Sequence, residues 1–254
     1  MTILDNFQLE GRVAIVTGCD TGLGQGMARA LAQAGADIVG VNVTAPTETQ
    51  AQIEGLGRRF LDLRANLADI GCIAGLIEQA KTWGGRVDIL VNNAGIIRRE
   101  DAIKFSEKDW DDVININLKT VFFFSQAVAR QYLAQGGGGK IINVASMLSF
   151  QGGVRVPSYT ASKSGVMGIT RLMANEWAGH GINVNAIAPG YMATNNTAAI
   201  RADENRNSAI LERIPAGRWG VPDDLAGPVV FLASKASDYV NGYTVAVDGG
   251  WLAR

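Results

Sequence analysis

Three residues near the middle of the chain have the types and spacing needed for acid/base chemistry. Tyr159 and Lys163 lie four positions apart in a segment with helical spacing, and residues i and i+4 share one face of a helix. Ser146 directly follows an apolar run, which places its hydroxyl at the carboxyl edge of a predicted sheet, where α/β proteins bind ligands. A nearby cation favours the phenolate of a tyrosine. The three residues therefore indicate proton transfer at a hydroxyl or carbonyl group, and an exposed Tyr/Lys pair on a solvated face is the alternative.

A glycine-rich turn follows the first predicted strand. Residues 17–26 read TGCDTGLGQG and lead into an alanine-rich helix. Gly18, Gly22 and Gly24 would let the backbone approach a pyrophosphate, whose charge is met by free N–H groups and the helix dipole. The spacing differs from GxGxxG, so glycines that serve only a tight turn are the alternative. The position of the turn after the first strand of a βα series favours phosphate binding.

Short apolar runs alternate with longer helical segments along almost the whole chain. Most of the runs lack strict alternation, as is typical of strands covered on both faces, and a parallel connection needs a crossover that is usually a helix. We therefore predict an α/β fold: one Rossmann-like, doubly wound domain over residues 1–254, with a seven-stranded parallel sheet and helices on both faces. The predicted strands are 12–17, 37–43, 59–63, 87–91, 140–145, 182–188 and 243–247. The predicted helices are 24–34, 69–83, 106–134, 158–178 and 222–234.

Composition excludes several classes of protein. Lys plus Arg number 23 and Asp plus Glu 24 among 254 residues, so no excess of charge favours nucleic acid as a partner. The first residues lack a basic and apolar leader pattern, and no apolar run of about 18 residues occurs. We therefore expect a cytoplasmic protein without a membrane partner. Two cysteines and one histidine cannot make a metal cluster of the usual spacing, and we expect no metal.

Several separate motifs resemble those of the short-chain dehydrogenase/reductase family, in the family's order and over essentially the whole chain. They are the glycine turn, Asn92-Asn93-Ala94-Gly95, the set Asn117, Ser146, Tyr159 and Lys163, and Pro189-Gly190 with Thr194. The resemblance implies an NAD-dependent oxidoreductase in which Tyr159 is the acid/base group. It also implies that Ser146 bonds the reacting oxygen, Lys163 holds the nicotinamide ribose and Asn117 holds a water. The implied cofactor contacts are Gly18, Asp20, Thr21, Gly22, Leu23, Gly24, Asn42, Asn66, Leu67, Asn93, Ala94, Gly95, Tyr159, Lys163, Pro189, Gly190, Met192 and Thr194.

Two residues that bear on the choice of nucleotide depart from the family pattern. Asn42 and Asn66 stand where NAD-using members commonly have Asp, and a neutral amide repels a 2′-phosphate less than a carboxylate does. However, residues 19–21 and 43–45 contain no Arg or Lys that could bind a 2′-phosphate, and Asp20 adds a negative charge there. We therefore predict NAD(H) as the cofactor.

Longer stretches, including NNAGIIRREDA and RIPAGRWG, are similar to a bacterial group of this family that acts on deoxy sugar acids in pectin and uronate breakdown. The substrate is then of the 2-dehydro-3-deoxy-D-gluconate or 2-deoxy-D-gluconate type. Ser146 and Tyr159 would contact it, and Arg98, Arg99 and Arg155 are candidates for its carboxylate, with Arg99 favoured. Gluconate 5-dehydrogenase, 3-oxoacyl carrier-protein reductase and a non-catalytic nucleotide sensor are the alternatives. The family resemblance also implies a homotetramer.

Overall fold

Strands and helices alternate through the chain and build one parallel sheet, as predicted. The computed structural model describes residues 2–254. The seven strands lie in the order β3-β2-β1-β4-β5-β6-β7, and every neighbouring pair is parallel. The strands are β1 Val13–Thr17, β2 Asp37–Asn42, β3 Phe60–Arg64, β4 Ile89–Asn92, β5 Gly139–Val144, β6 Ile182–Pro189 and β7 Thr244–Val247.

The absence of strict alternation in the strands has a direct structural cause. In β1, Ala14 and Val16 join one apolar cluster, whereas Val13 and Ile15 join another on the opposite face. The first cluster includes side chains of the first and last long helices, and the second includes side chains of the helices before and after β4. Since both faces of the sheet are covered, every position of β1 is buried. The prediction of a doubly wound α/β fold is confirmed.

The long predicted helix over 106–134 is not continuous. A π-helical segment, Asn115–Lys119, divides it into two α-helices. Three further helices, over Thr47–Gly55, Ala198–Ala202 and Glu204–Arg213, were not predicted. The helices are α1 Gly22–Gln33, α2 Thr47–Gly55, α3 Ile73–Gly84, α4 Glu107–Ile114, α5 Thr120–Gln135, α6 Pro157–Trp177, α7 Ala198–Ala202, α8 Glu204–Arg213 and α9 Ala226–Ala233. No helix within residues 2–254 is long and apolar enough to cross a bilayer.

The order of the strands creates a cleft at one edge of the sheet. The chain moves outward from β1 to β2 and β3, then returns to place β4 on the other side of β1. The loops that follow β1 and β4 therefore leave the sheet in opposite directions, which opens a crevice at the carboxyl ends of these strands. The glycine turn and the Asn-Asn-Ala-Gly segment both begin at this crevice.

Candidate active site

A cavity of about 670 Å³ lies at this crevice. It extends from the glycine turn to the start of α6, so one space contains the residues predicted for cofactor binding and those predicted for acid/base chemistry. The predicted residues that line it are Gly18, Asp20, Thr21, Gly22, Leu23, Gly24, Asn42, Asn66, Leu67, Asn93, Ala94, Gly95, Arg99, Ser146, Tyr159, Lys163, Gly190 and Thr194.

The glycine turn has a conformation that needs glycine. Gly18 and Gly22 have φ of +63° and +60°, a region that L side chains rarely adopt. A Cβ on Gly24 would lie 2.0 Å from the carbonyl oxygen of Gly18, so only glycine lets α1 start this close to β1. Asn93 holds the turn from the other side, because its Nδ2 donates to the carbonyl oxygen of Gly18 at 2.8 Å. The turn is thus rigid and closely packed.

These features fit a dinucleotide. Helix α1 begins at Gly22 and faces the cavity, and the N–H groups in the first turn of a helix have no partner within that helix. Together with the helix dipole they favour a pyrophosphate at this point. Thr194 lies beside the turn, since its Cγ2 would be 3.7 Å from a Cβ on Gly22.

At the end of the cavity predicted for adenosine, Asn42 also supports the glycine turn. Asn42 is buried, and its Oδ1 accepts the backbone N–H of Cys19 at 2.7 Å. The side chain therefore positions the turn while it lines the cavity, and its contact with a ribose hydroxyl stays a prediction. Burial raises the pKa of the Cys19 thiol to about 12, which keeps this cysteine protonated. Asp20 accepts a hydrogen bond from Thr44 and is the acidic side chain that lines this end.

Tyr159, Ser146 and Lys163 come together as the spacing predicts. Desolvation raises the pKa of Tyr159, whereas its hydrogen bond with Ser146 and the charge of Arg99 act to lower that pKa. Nζ of Lys163 lies 5.7 Å from the centre of the Tyr159 ring and donates to the carbonyl oxygen of Val144 at 2.6 Å. Burial lowers the pKa of Lys163 to about 8. The phenol is therefore held beside a hydroxyl and two cationic side chains.

Asn117 is fully buried in the π-helical segment and does not line the cavity. Its Oδ1 accepts the backbone N–H of Ile96 at 2.8 Å, and its Nδ2 donates to the Ile96 carbonyl at 2.8 Å. Nδ2 also donates to Oγ of Ser162, the neighbour of Lys163, at 3.4 Å. The side chain therefore fixes the loop after β4, and the water that the family resemblance implies stays a prediction.

Two of the arginines predicted for the substrate carboxylate form ion pairs with nearby carboxylates. Arg98 pairs with Asp109 and Asp112 of α4, and Arg155 pairs with Glu100 and Asp101. Neither arginine lines the cavity.

Pro189 and Met192 also do not line the cavity. Pro189 ends the strand, and Met192 is buried in the apolar core, where its sulfur packs against Gly220. Their neighbours Gly190 and Thr194 do line the cavity.

Several residues that line the cavity were not predicted from the sequence. Gln151, Tyr191, Arg206, Arg213 and Trp251 also line the cavity. No motif connects them to Tyr159, since they come from a loop, an unpredicted helix and the carboxyl terminus. Within residues 2–254, no group of His, Cys, Asp and Glu side chains could hold a metal ion.

Comparison with known proteins agrees with this geometry. Residues 18–252 match a protein-family model described as enoyl-(acyl carrier protein) reductase. The chain is 73% identical over 252 residues to the 2-dehydro-3-deoxy-D-gluconate 5-dehydrogenase of Escherichia coli (strain K12), with 99% of this chain and 100% of the relative covered. The chain belongs to the short-chain dehydrogenase/reductase family.

Solved structures of dehydrogenases have the same fold as this chain. A candidate 2-deoxy-D-gluconate 3-dehydrogenase from Agrobacterium tumefaciens with bound NADP has a TM-score of 0.93 and 58% identity, covering 98% of this chain and 100% of that chain. A gluconate 5-dehydrogenase from Burkholderia cenocepacia J2315, in complex with NADP and tartrate, has a TM-score of 0.94 and 39% identity, with 100% of both chains covered. Both of these structures thus contain a nicotinamide dinucleotide.

Proposed function

We propose that this chain oxidises, and in reverse reduces, a deoxy sugar acid of the 2-dehydro-3-deoxy-D-gluconate type with a nicotinamide dinucleotide. The observation that carries the proposal is that Tyr159, Ser146 and Lys163 line the same cavity as the glycine turn. The names of relatives such as the Escherichia coli protein support the choice of substrate. The catalytic unit is the whole of residues 1–254.

The roles of the residues follow from where their atoms lie. Ser146 donates a hydrogen bond to the reacting oxygen, and Tyr159 takes the hydroxyl proton as the C–H bond gives up its hydride. In reduction, Tyr159 returns that proton to the carbonyl oxygen. Lys163 holds the ribose hydroxyls and, by its charge, favours the phenolate of Tyr159.

A bound nicotinamide dinucleotide supplies the carbon that accepts or gives the hydride. Gly18, Thr21, Gly22, Leu23 and Thr194 would hold its pyrophosphate region. Leu67, Asn66 and Asp20 would hold the adenosine, and Asn93, Ala94, Gly95 and Gly190 the nicotinamide end.

The preferred nucleotide in this proposal is NAD(H). Support comes from the adenosine end of the cavity, where Asp20 is charged and, among residues 2–254, no Lys or Arg of the glycine turn or of the segment after β2 lines the wall. Arg64, at the end of β3, is bonded to Asp62 and to the carbonyl oxygen of Val43. We expect a higher kcat/KM with NADH than with NADPH, measured at equal concentrations of a single keto acid. A preference for NADPH would contradict this part of the proposal.

The proposed assembly is a homotetramer built through α4, α5, α6 and β7. Large apolar side chains are exposed on these elements or beside them, among them Trp110, Phe123, Leu133, Leu172 and Tyr243. Placement in the cytoplasm and in the breakdown of pectin and uronates stays a prediction from the sequence.

A panel of sugar acids tests the function. NADH formation would be followed by absorbance with 2-dehydro-3-deoxy-D-gluconate, 2-deoxy-D-gluconate and D-gluconate, each at the same concentration. We expect the highest kcat/KM with one of the two deoxy acids. A higher value with D-gluconate would indicate the gluconate dehydrogenase alternative, and no turnover with any acid, in either direction, would refute the proposal.

A further inference from the structure

Helix α8 turns two arginines toward the cavity. Arg206 and Arg213 are seven residues apart, which is about two turns, so they share one face of the helix, and both line the cavity. Ile210 lies between them on that face and packs in an apolar cluster with Met147 and Trp251. The helix is therefore anchored against the segment that follows β5, where Met147 comes directly after Ser146.

The guanidinium group of Arg213 is already held in place. Its Cζ lies 4.0 Å from the centre of the Trp251 ring, and Nη2 donates to Oε1 of Gln151 at 3.3 Å. Within residues 2–254 no carboxylate pairs with Arg213. A planar guanidinium that is stacked and oriented loses little freedom when it binds an anion with two N–H groups.

The charges of the cavity favour an anion. Among the described residues that line the cavity, Asp20 of the glycine turn is acidic, whereas Arg99, Lys163, Arg206 and Arg213 are cationic. Nζ of Lys163 is bonded to a backbone carbonyl. Arg99 follows the loop after β4 and lines the cavity together with Tyr159 and Ser146. Its charge also acts to lower the pKa of Tyr159.

The reacting carbon and the carboxylate lie at different places along the substrate. In a 2-dehydro-3-deoxy-D-gluconate that reacts at carbon 5, three carbons stand between the reacting carbon and the carboxylate carbon. The carboxylate therefore lies away from Tyr159 when the oxygen of carbon 5 meets the phenol.

We propose that Arg213, held by Trp251 and Gln151, binds the substrate carboxylate, and that Arg99 serves the reacting end. This inference rests on the proposed function. It changes the role of Arg99, which the sequence analysis favoured for the carboxylate.

The test compares the sugar acid with its primary amide, which has the same shape but no charge. Steady-state oxidation of both compounds would be measured with the full-length wild type, Arg213→Gln, Arg213→Lys, Arg206→Gln and Arg99→Gln. Lys81→Gln, which removes a charge from the exposed end of α3, is the matched control. Affinity for NADH, measured by fluorescence, verifies that each variant is folded.

We expect Arg213→Gln to raise KM for the acid by roughly tenfold or more, with KM for the amide changed by less than about threefold, because only the acid loses a charge-assisted bond. Arg213→Lys should keep part of the preference for the acid, since it retains the charge but not the planar stack. Arg99→Gln should lower kcat for both compounds alike.

Three results would overturn the inference. Equal losses for the acid and the amide in Arg213→Gln would remove the carboxylate role while leaving the proposed function intact. A selective loss for the acid in Arg99→Gln or Arg206→Gln, without one in Arg213→Gln, would assign the carboxylate to that arginine. A wild type that turns over neither compound would refute the proposed function itself, and this inference with it.

Discussion

Lys163 holds its ammonium group in a largely buried position at the wall of the cavity. The side chain is buried, and one backbone carbonyl, that of Val144, accepts its hydrogen bond. Burial lowers its pKa to about 8, because desolvation disfavours the charged form. The position that suits the ribose and the phenol therefore works against the stability of the protein without its cofactor.

This arrangement predicts a pH dependence of stability. Lys163 releases its proton at about pH 8 in the folded protein and near the ordinary value of 10.5 in the unfolded one. Between these values the unfolded state binds more protons, so the free energy of unfolding rises with pH. From about pH 7 to about pH 9.5 the wild type should gain about 2 kcal/mol relative to Lys163→Met. Urea unfolding of both proteins without cofactor measures this, and a constant difference between them would contradict the assigned cause.

Val43 offers a way to change the choice of nucleotide. Its side chain is 72% exposed and lines the adenosine end of the cavity. Val43→Arg should narrow the preference for NADH over NADPH, since a guanidinium can bind a 2′-phosphate with two N–H groups. Val43→Gln is the uncharged control. The ratio of kcat/KM for the two nucleotides is the measurement, and an equal change in both variants would show that charge is not the cause.

At the scale of elements, the start of α1 depends on the absence of one side chain. A Cβ on Gly24 would collide with the Gly18 carbonyl and lie 2.5 Å from Nδ2 of Asn93. Gly24→Ala should therefore move the helix away from the glycine turn and weaken NADH binding by roughly tenfold or more, as the loss of about 1.4 kcal/mol or more requires.

A matched substitution separates this collision from any general effect of alanine. Gly75 lies in the exposed part of α3, and no atom is within 4 Å of a Cβ built on it. Gly75→Ala should leave NADH binding unchanged and stabilise the protein by about 0.5–1 kcal/mol. Fluorescence titration and thermal unfolding of both variants test the pair. Normal NADH affinity in Gly24→Ala would show that the turn tolerates the shift.

Some strands and helices could be predicted from the sequence pattern, and others could not. Strands β1, β2, β4 and β6 were predictable because they are almost entirely buried and mostly apolar, as is typical of parallel strands covered on both faces. Helices α2 and α8 are mostly polar, and each buries few residues, among them Ile53 and Ile210. They therefore lack the apolar stripe by which helices are recognised. The π-helical turn at Asn117 likewise has no signal, because it depends on the loop at Ile96 that the side chain bonds.

The same limit applies to single residues of the site. Tyr159, Lys163 and Ser146 were predictable because one helix face and one strand end bring them together. Arg213 was not, since its place depends on how α8 packs against Trp251, far away in sequence. For Asn42 the position was right, but its Oδ1 is bonded to Cys19, a contact that the spacing of residues does not reveal.

At the scale of the whole molecule, strand order is what makes a single site from distant segments. The reversal between β1 and β4 opens the crevice, β5 delivers Ser146, and α6 delivers Tyr159 and Lys163. The cofactor turn and the acid/base group then line one cavity but come from different segments of the chain. Binding of the nucleotide and proton transfer should therefore be separable by substitution.

The most direct test is to compare Tyr159→Phe with the wild type in NADH formation from 2-dehydro-3-deoxy-D-gluconate, together with the affinity of each for NADH. We predict that the variant loses turnover by about 10²–10⁴-fold, the usual effect of removing a positioned acid/base group, while its affinity for NADH changes by less than about threefold, since the glycine turn is untouched. Near-normal turnover in Tyr159→Phe would contradict the account.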